Sequence, residues 1–216
     1  MQIYTYWRSL ATFRVRIALN LKGIAAEPIE INLDAGAQHQ PGYKSVNPQM
    51  VIPALVTDDG ALLYQSLAIL EYLDEVHPEP PLLPADPAGR ARVRALSLIT
   101  VADSHPLITP RVRNYVATTF GLDDEGKAAW VRRWFAAGLD AYEAHLARDQ
   151  ATGAYCHGDM PTIADLCLVS HCAGYLIFKG TLDNHPTVRR IYERCMADRR
   201  FADAHPLRQP GAPTGH

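Results

Sequence analysis

The sequence predicts an α/β unit followed by an all-helical one, and three observations carry that reading. Apolar patterns of period two and period 3.6 alternate up to residue 76, in the order strand, helix, strand, hairpin, helix. Prolines then crowd together at Pro78, Pro80, Pro81, Pro84 and Pro87. Beyond them only helical patterns occur. The expected organisation is an α/β domain over 1–80, a proline-rich linker over 81–87 and an all-helical domain over 88–216. A chain of 216 residues with 48% hydrophobic content can bury a sizeable core in one or two domains.

In order, Gln2–Tyr6 reads as a strand on Ile3, Tyr4 and Tyr6. Thr12–Lys22 reads as a helix with Phe13, Ile17 and Leu21 on its apolar face, closed by Lys22-Gly23. Glu27–Leu33 alternates, with Ile29, Ile31 and Leu33 on one face of a second strand. Asp34–Asn47 is polar and reads as a loop with one helical turn. Val51–Val56 is a third strand, and Asp59-Gly60 turns it back into Ala61–Tyr64. Ser66 is the expected N-cap of a helix over Leu67–Val76.

The proline-dense stretch stops helices and stiffens the chain, as a linker does. Helices are expected over Ala88–Asp103, Asp123–Leu146, Ile163–Phe178 and Thr187–Ala197, with His105-Pro106 and Pro110 kinking or splitting the first of them. Thr162-Ile163-Ala164-Asp165 reads as a structural capping motif. The tail from Pro206, with Pro210, Gly211, Pro213 and Gly215, reads as a loose end.

Composition removes several function classes. The net charge is −2 and the 21 Lys and Arg form no block, so nucleic acid and anionic membrane are not expected partners. No apolar run reaches the roughly 18 residues of a membrane span, and no signal region opens the chain. Cys156, Cys167, Cys172 and Cys195 form no C-x-x-C pair, which argues for buried thiols in a reducing, cytoplasmic setting and against a metal site.

The stretch with most chemical content is Tyr6-Trp7-Arg8-Ser9-Leu10-Ala11-Thr12. A strand that runs into hydroxyls at a helix N-terminus makes an anion site, because unpaired backbone N–H groups and the helix dipole both favour negative charge there. Taken alone, Ser9 or Thr12 does no more than cap the helix.

The ordered set of motifs along nearly the whole chain resembles the zeta class of glutathione S-transferases, which includes maleylacetoacetate and maleylpyruvate isomerases. The motifs are Arg8-Ser9, Arg14-Val15-Arg16-Ile17-Ala18-Leu19, Asn47-Pro48, Ile52-Pro53 and Gln65-Ser66-Leu67-Ala68-Ile69. Leu82-Leu83-Pro84, Tyr155-Cys156-His157-Gly158-Asp159 and Thr162–Cys167 continue the series. The resemblance implies a thioredoxin-like N-terminal domain joined to an all-α C-terminal domain, glutathione as coenzyme and a homodimer.

It also implies roles. Ser9 would donate a hydrogen bond to the glutathione sulfur and so lower the thiol pKa from about 8.5. Pro53 matches a cis-proline, after which the Ile52 main chain would pair with the cysteinyl part of the tripeptide. Gln65 and Ser66 would hold the γ-glutamyl carboxylate, Gln38 would reach the glycine end, and His105 would lie near the centre. Arg8 and Arg111 match positions that bind the carboxylates of a small electrophile, for which a planar guanidinium is well suited. The implied activity is thiolate addition to a cis-enedione, bond rotation and elimination.

Two positions depart from the family pattern. Many members carry Ser-Ser-Cys after the arginine, whereas Ser9-Leu10-Ala11 offers neither thiol nor second hydroxyl before Thr12. The family's substrate-binding arginine before a phenylalanine corresponds to Ile177 before Phe178, which points either to a monoacid or less charged substrate or to an anchor supplied elsewhere, for example by Arg113 or Lys179. Loss of that arginine points toward conjugation or reductive dehalogenation of a small electrophile as the alternative enzyme. A non-catalytic interaction protein is the alternative of a different class, and the intact Ser9, Gln65, Ser66 and Ile52-Pro53 argue against it.

Overall fold

The sheet that begins the chain is mixed, in the order β2-β1-β3-β4. The computed structural model describes residues 1–213. β1 (Gln2–Thr5) pairs in parallel with β2 (Glu27–Glu30) and antiparallel with β3 (Ala54–Val56), which pairs antiparallel with β4 (Leu62–Tyr64). The parallel pair needs a crossover, and α1 (Leu10–Lys22) supplies it, ending on Gly23 at φ 65°. A 3-10 turn (Ala37–His39) and α2 (Pro41–Val46) follow β2, and α3 (Ser66–Val76) follows β4. Phe13 and Ile17 of α1 and Ile69, Leu70 and Leu73 of α3 are fully buried where the two helices pack together.

All four strands are shorter than their apolar patterns, β1 and β4 by one residue and β2 and β3 by three. β2 stops at Glu30 although Ile31 is buried, and β3 starts only at Ala54 because Pro53 has no N–H to give a ladder. Ser66 is the first helical residue of α3, with Gln65 rather than Ser66 in the N-cap position.

The described residues form two compact units, Met1–Pro81 with the segment from Asp198, and Leu82–Ala197. The C-terminal segment belongs with the first unit for visible reasons. Arg16 Nε donates to Ala204 O at 3.1 Å, Asn20 Nδ2 donates to Arg200 O at 2.9 Å, and the Phe13 and His205 rings lie 5.6 Å apart. Pro206 is buried in a short 3-10 turn, so the tail is held well past the point where a loose end is expected. Gly215 lies outside the described residues.

In the second unit α4 (Pro87–Leu98) runs into a π-helical turn (Ile99–Ser104), then α5 (His105–Ile108) and α6 (Pro110–Phe120). The π turn explains how the chain passes His105-Pro106 without breaking. The His105 N–H reaches back five residues to Thr100 O, so the ladder is already shifted before Pro106 withholds its own N–H. The break comes at Thr109, and α6, which lies outside the expected helices, begins with Pro110 where a missing N–H costs nothing. α7 (Asp124–Leu146), α8 (Ile163–Ile177) and α9 (Pro186–Ala197) complete the unit, and α10 (Arg199–Ala202) opens the C-terminal segment. α8 is buried from Ile163 to Gly174, and all four cysteines are buried and outside any disulfide. No helix among the described residues is long and apolar enough to cross a membrane.

Candidate active site

The turn between β1 and α1 presents an unspent hydroxyl proton. Ser9 closes the turn by donating its N–H to Tyr6 O at 3.0 Å, and its extended backbone (φ −70°, ψ 111°) makes it the N-cap. Ser9 Oγ accepts from Thr12 N–H at 3.2 Å and from Thr12 Oγ1 at 2.9 Å. A hydroxyl has two acceptor lone pairs and one proton, so with both lone pairs filled Ser9 has only its O–H left to offer. Ser9 is half-buried, and the first turn of α1 carries no acidic residue to occupy the positive helix end. Capping and donation are therefore compatible at Ser9, and Thr12, fully buried, acts by orienting it. Ala11 removes one hydroxyl or thiol without disturbing this arrangement.

Arg8, in the same turn, is engaged. Its guanidinium forms an ion pair with Asp34 and lies 5.8 Å from the Tyr6 ring centroid. Asp34 also accepts from Tyr6 Oη at 2.6 Å; burial and then this bond raise the Tyr6 pKa. Any substrate carboxylate at Arg8 shares that guanidinium with Asp34.

The Ile52–Pro53 peptide is cis, as expected. Strand pairing begins at Ala54, so the Ile52 main chain stays outside the β3 ladder, and main chain left outside a ladder can pair with an extended peptide. Ile52 packs with Tyr6, Ile31 and Tyr43, and Ala37 packs against the same cluster. This brings the 3-10 turn that carries Gln38 to that side of the sheet. Gln38 Nε2 meets His39 Nε2 at 3.0 Å, while its buried Oε1 has no partner among the described residues.

The N-terminus of α3 is a second open positive end. Gln65 holds a left-handed conformation (φ 68°) that non-glycine residues rarely adopt, and Gln65 Nε2 donates to Gln49 Oε1 at 3.0 Å. Ser66 is buried, and the first turn of α3 has no acid. The N–H groups that start a helix lack intrahelical partners and suit a carboxylate.

In the second unit, His105 is half-buried at the start of α5 and Arg111 is exposed in the first turn of α6. Arg111 makes no ion pair with any described residue. Arg113 lies over the Phe178 ring at 5.8 Å, which puts a guanidinium beside the residue that follows the partly exposed Ile177.

Three functional candidates were not apparent from the residues alone: Asp34 on Arg8, Gln49 on Gln65, and Arg14 on Ser66. Arg14 carries a readable signal, since it repeats with Ala18 and Leu21 on the buried side of α1 where a cation is out of place.

Residues 8–76 match the family model for the N-terminal domain of glutathione S-transferases. The chain is 43% identical over 211 residues to the maleylpyruvate isomerase of Ralstonia sp., covering 97% of this chain and 99% of the relative. It superposes on the crystal structure of a maleylacetoacetate isomerase from Methylobacterium extorquens AM1 with bound malonate and glutathione. The TM-score is 0.96 at 48% identity, over 99% of this chain and 100% of the other. It also matches the holo structure of a maleylpyruvate isomerase described as a bacterial zeta-class glutathione S-transferase, with a TM-score of 0.95, 41% identity, and 99% and 100% coverage.

Proposed function

Given that the chain belongs to the zeta-class glutathione S-transferase family of maleylacetoacetate and maleylpyruvate isomerases, we propose that it is a glutathione-dependent cis–trans isomerase of that type. The observation that carries the proposal is the Ser9 hydroxyl, held by Thr12 with its proton free at a helix N-terminus that lacks any acid of its own.

Bound glutathione supplies a thiolate that adds to the activated double bond, permits rotation about the resulting single bond and is then expelled unchanged. Ser9 donates to the sulfur and holds it as thiolate near neutral pH. The Ile52 main chain pairs with the cysteinyl unit, Gln38 takes the glycine end, and Gln65 and Ser66 take the γ-glutamyl carboxylate. His105 contributes near the centre of the tripeptide. Arg111, exposed and without an ion-pair partner among the described residues, is the stronger anchor for a carboxylate-bearing electrophile; Arg8 is the weaker because Asp34 already holds it. Positive charge at these positions stabilises the enolate that forms on addition. In this reading the first unit is the glutathione-binding domain and the second supplies the substrate contacts.

We also propose a cytoplasmic homodimer. Strand β4 is a sheet edge with Leu62 and Tyr64 exposed, and Val76 of α3 is exposed as well, an apolar edge suited to a second copy.

Ile177 favours a second reading, conjugation or dehalogenation of a small electrophile, because it offers no charge to a carboxylate. Arg113 beside Phe178 weighs against it by supplying a cation at that end of α8. Purified protein is expected to isomerise maleylpyruvate or maleylacetoacetate only when glutathione is present. A protein that binds glutathione and turns over neither would move the assignment to conjugation or dehalogenation. No saturation by millimolar glutathione would instead indicate a non-catalytic interaction protein.

A further inference from the structure

We propose that Arg14 is a positioning residue for the γ-glutamyl carboxylate of glutathione, acting through the Ser66 hydroxyl. The proposal rests on the glutathione-binding reading of Ser66 given above.

Arg14 is 1% exposed and is the bulkiest fully buried side chain among the described residues. Its Nη1 donates to Ser66 Oγ at 2.9 Å, across 52 residues of sequence. Guanidinium has donors only and does not lose its proton in proteins, so this bond has one direction at every working pH. The Ser66 oxygen is the acceptor and its proton must go elsewhere. A serine at a helix start otherwise readily turns its hydroxyl onto a nearby backbone group. Arg14 occupies a lone pair of that oxygen and polarises the O–H bond, which makes the hydroxyl a stronger donor to an anion.

The surroundings agree with that role. Ser66 opens α3, so its hydroxyl sits among the unpaired N–H groups of the helix end, where the chain places no acid of its own. The preceding residue is pinned by the Gln65–Gln49 bond at 3.0 Å. A buried cation behind the hydroxyl adds a favourable field for a carboxylate, while direct contact is left to Ser66 and the backbone.

The test is calorimetric binding of two ligands, glutathione and 4-aminobutyryl-cysteinyl-glycine, in which that carboxylate is replaced by hydrogen. Arg14→Met is expected to raise Kd for glutathione about tenfold, the difference between a charge-assisted and an ordinary hydrogen bond, and to leave the analogue within about twofold. Ser66→Ala is expected to show the same pattern, and the double variant to bind glutathione no worse than Ser66→Ala alone. Equal weakening of both ligands by Arg14→Met, or full additivity in the double variant, would overturn the proposal. Where thermal unfolding shows Arg14→Met not to fold, Arg14→Lys is read instead; it is expected to lose glutathione affinity by less than about tenfold with the analogue unchanged, and equal losses again overturn the role. Native protein that shows no saturation by glutathione would overturn the binding reading itself. Saturation in the native protein with equal losses in the variants would remove Arg14 alone.

Discussion

At the start of α1 a hydroxyl at Ser9 is followed three residues later by Thr12; at the start of α8 a hydroxyl at Thr162 is followed three residues later by Asp165. The spacing is the same and the outcome is opposite. Asp165 accepts from Thr162 N–H at 2.8 Å, Thr162 Oγ1 at 2.8 Å and Cys156 N–H at 2.7 Å, all of it buried. The positive end of α8 is thus filled by the chain's own carboxylate. At α1 the third position is a hydroxyl, which donates to Ser9 and leaves the helix end without a negative charge. A hydroxyl cap is therefore no site in itself. What makes it one is whether the chain has already supplied the anion.

The largest effect is expected where the internal anion is removed. Asp165→Ala strands three buried donors and should destabilise the second unit by about 3–5 kcal/mol, read from the denaturant midpoint. A loss under about 1 kcal/mol would make the two helix ends less different than their geometry implies. Burial also raises the Asp165 pKa. A folded pKa above the unfolded one means that this group favours folding most below the unfolded carboxylate range and less as pH rises through the folded value.

At the open end, Ser9→Ala should raise the pH at which bound glutathione forms thiolate by about one to two units, the worth of one hydrogen bond to a charged group. Thiolate absorbance against pH reads this directly, and an unchanged titration would take Ser9 out of the chemistry. Thr12→Asp copies the α8 plan onto α1. With a carboxylate already at the helix end, the thiolate pKa should rise by about one unit and glutathione should bind more weakly in calorimetry. Full retention of affinity would break the comparison.

The smallest effect belongs to the other side of α1, which carries the C-terminal segment. His205 is packed on Phe13, and burial, then Arg208 and Arg16, lower its pKa below 6.5. Its Nδ1 accepts from Leu207 N–H at 3.2 Å, a bond that protonation at that nitrogen destroys. The lowered folded pKa means that its contribution is intact above about pH 6.5 and is lost as pH falls through the folded value, by under about 1 kcal/mol down to pH 5. Hydrogen exchange at the Leu207 amide should speed up over that range; constant protection would leave His205 with no part in holding the C-terminal segment.

Much of the architecture was legible because apolar periodicity is a local signal. The element order of the first unit, the cap at Thr162 and the long α7 follow from residues within a turn or two of one another. Several elements that escaped lie where proline changes the backbone account: β3 shortened by Pro53, the π turn that precedes Pro106, and α6 opening on Pro110. In the candidate site, Ser9, Ile52-Pro53, Gln65 and Ser66 were legible as a motif set. The side chains that orient them were less so, because Arg14 reaches Ser66 across 52 residues and Gln49 reaches Gln65 across 16.

By itself the sequence determined most of the segments that become helix or strand, which helix ends carry hydroxyls, and which family's motifs line up along the chain. Those properties depend on neighbours within a few residues, where period, caps and turn chemistry act. Only the tertiary structure decided that Arg8 is held by Asp34, that the segment from Asp198 returns to α1, and that a buried guanidinium stands behind Ser66. Hydrogen bonds and ion pairs act over a few ångströms in space, and no local period encodes which distant residues the fold brings within that reach.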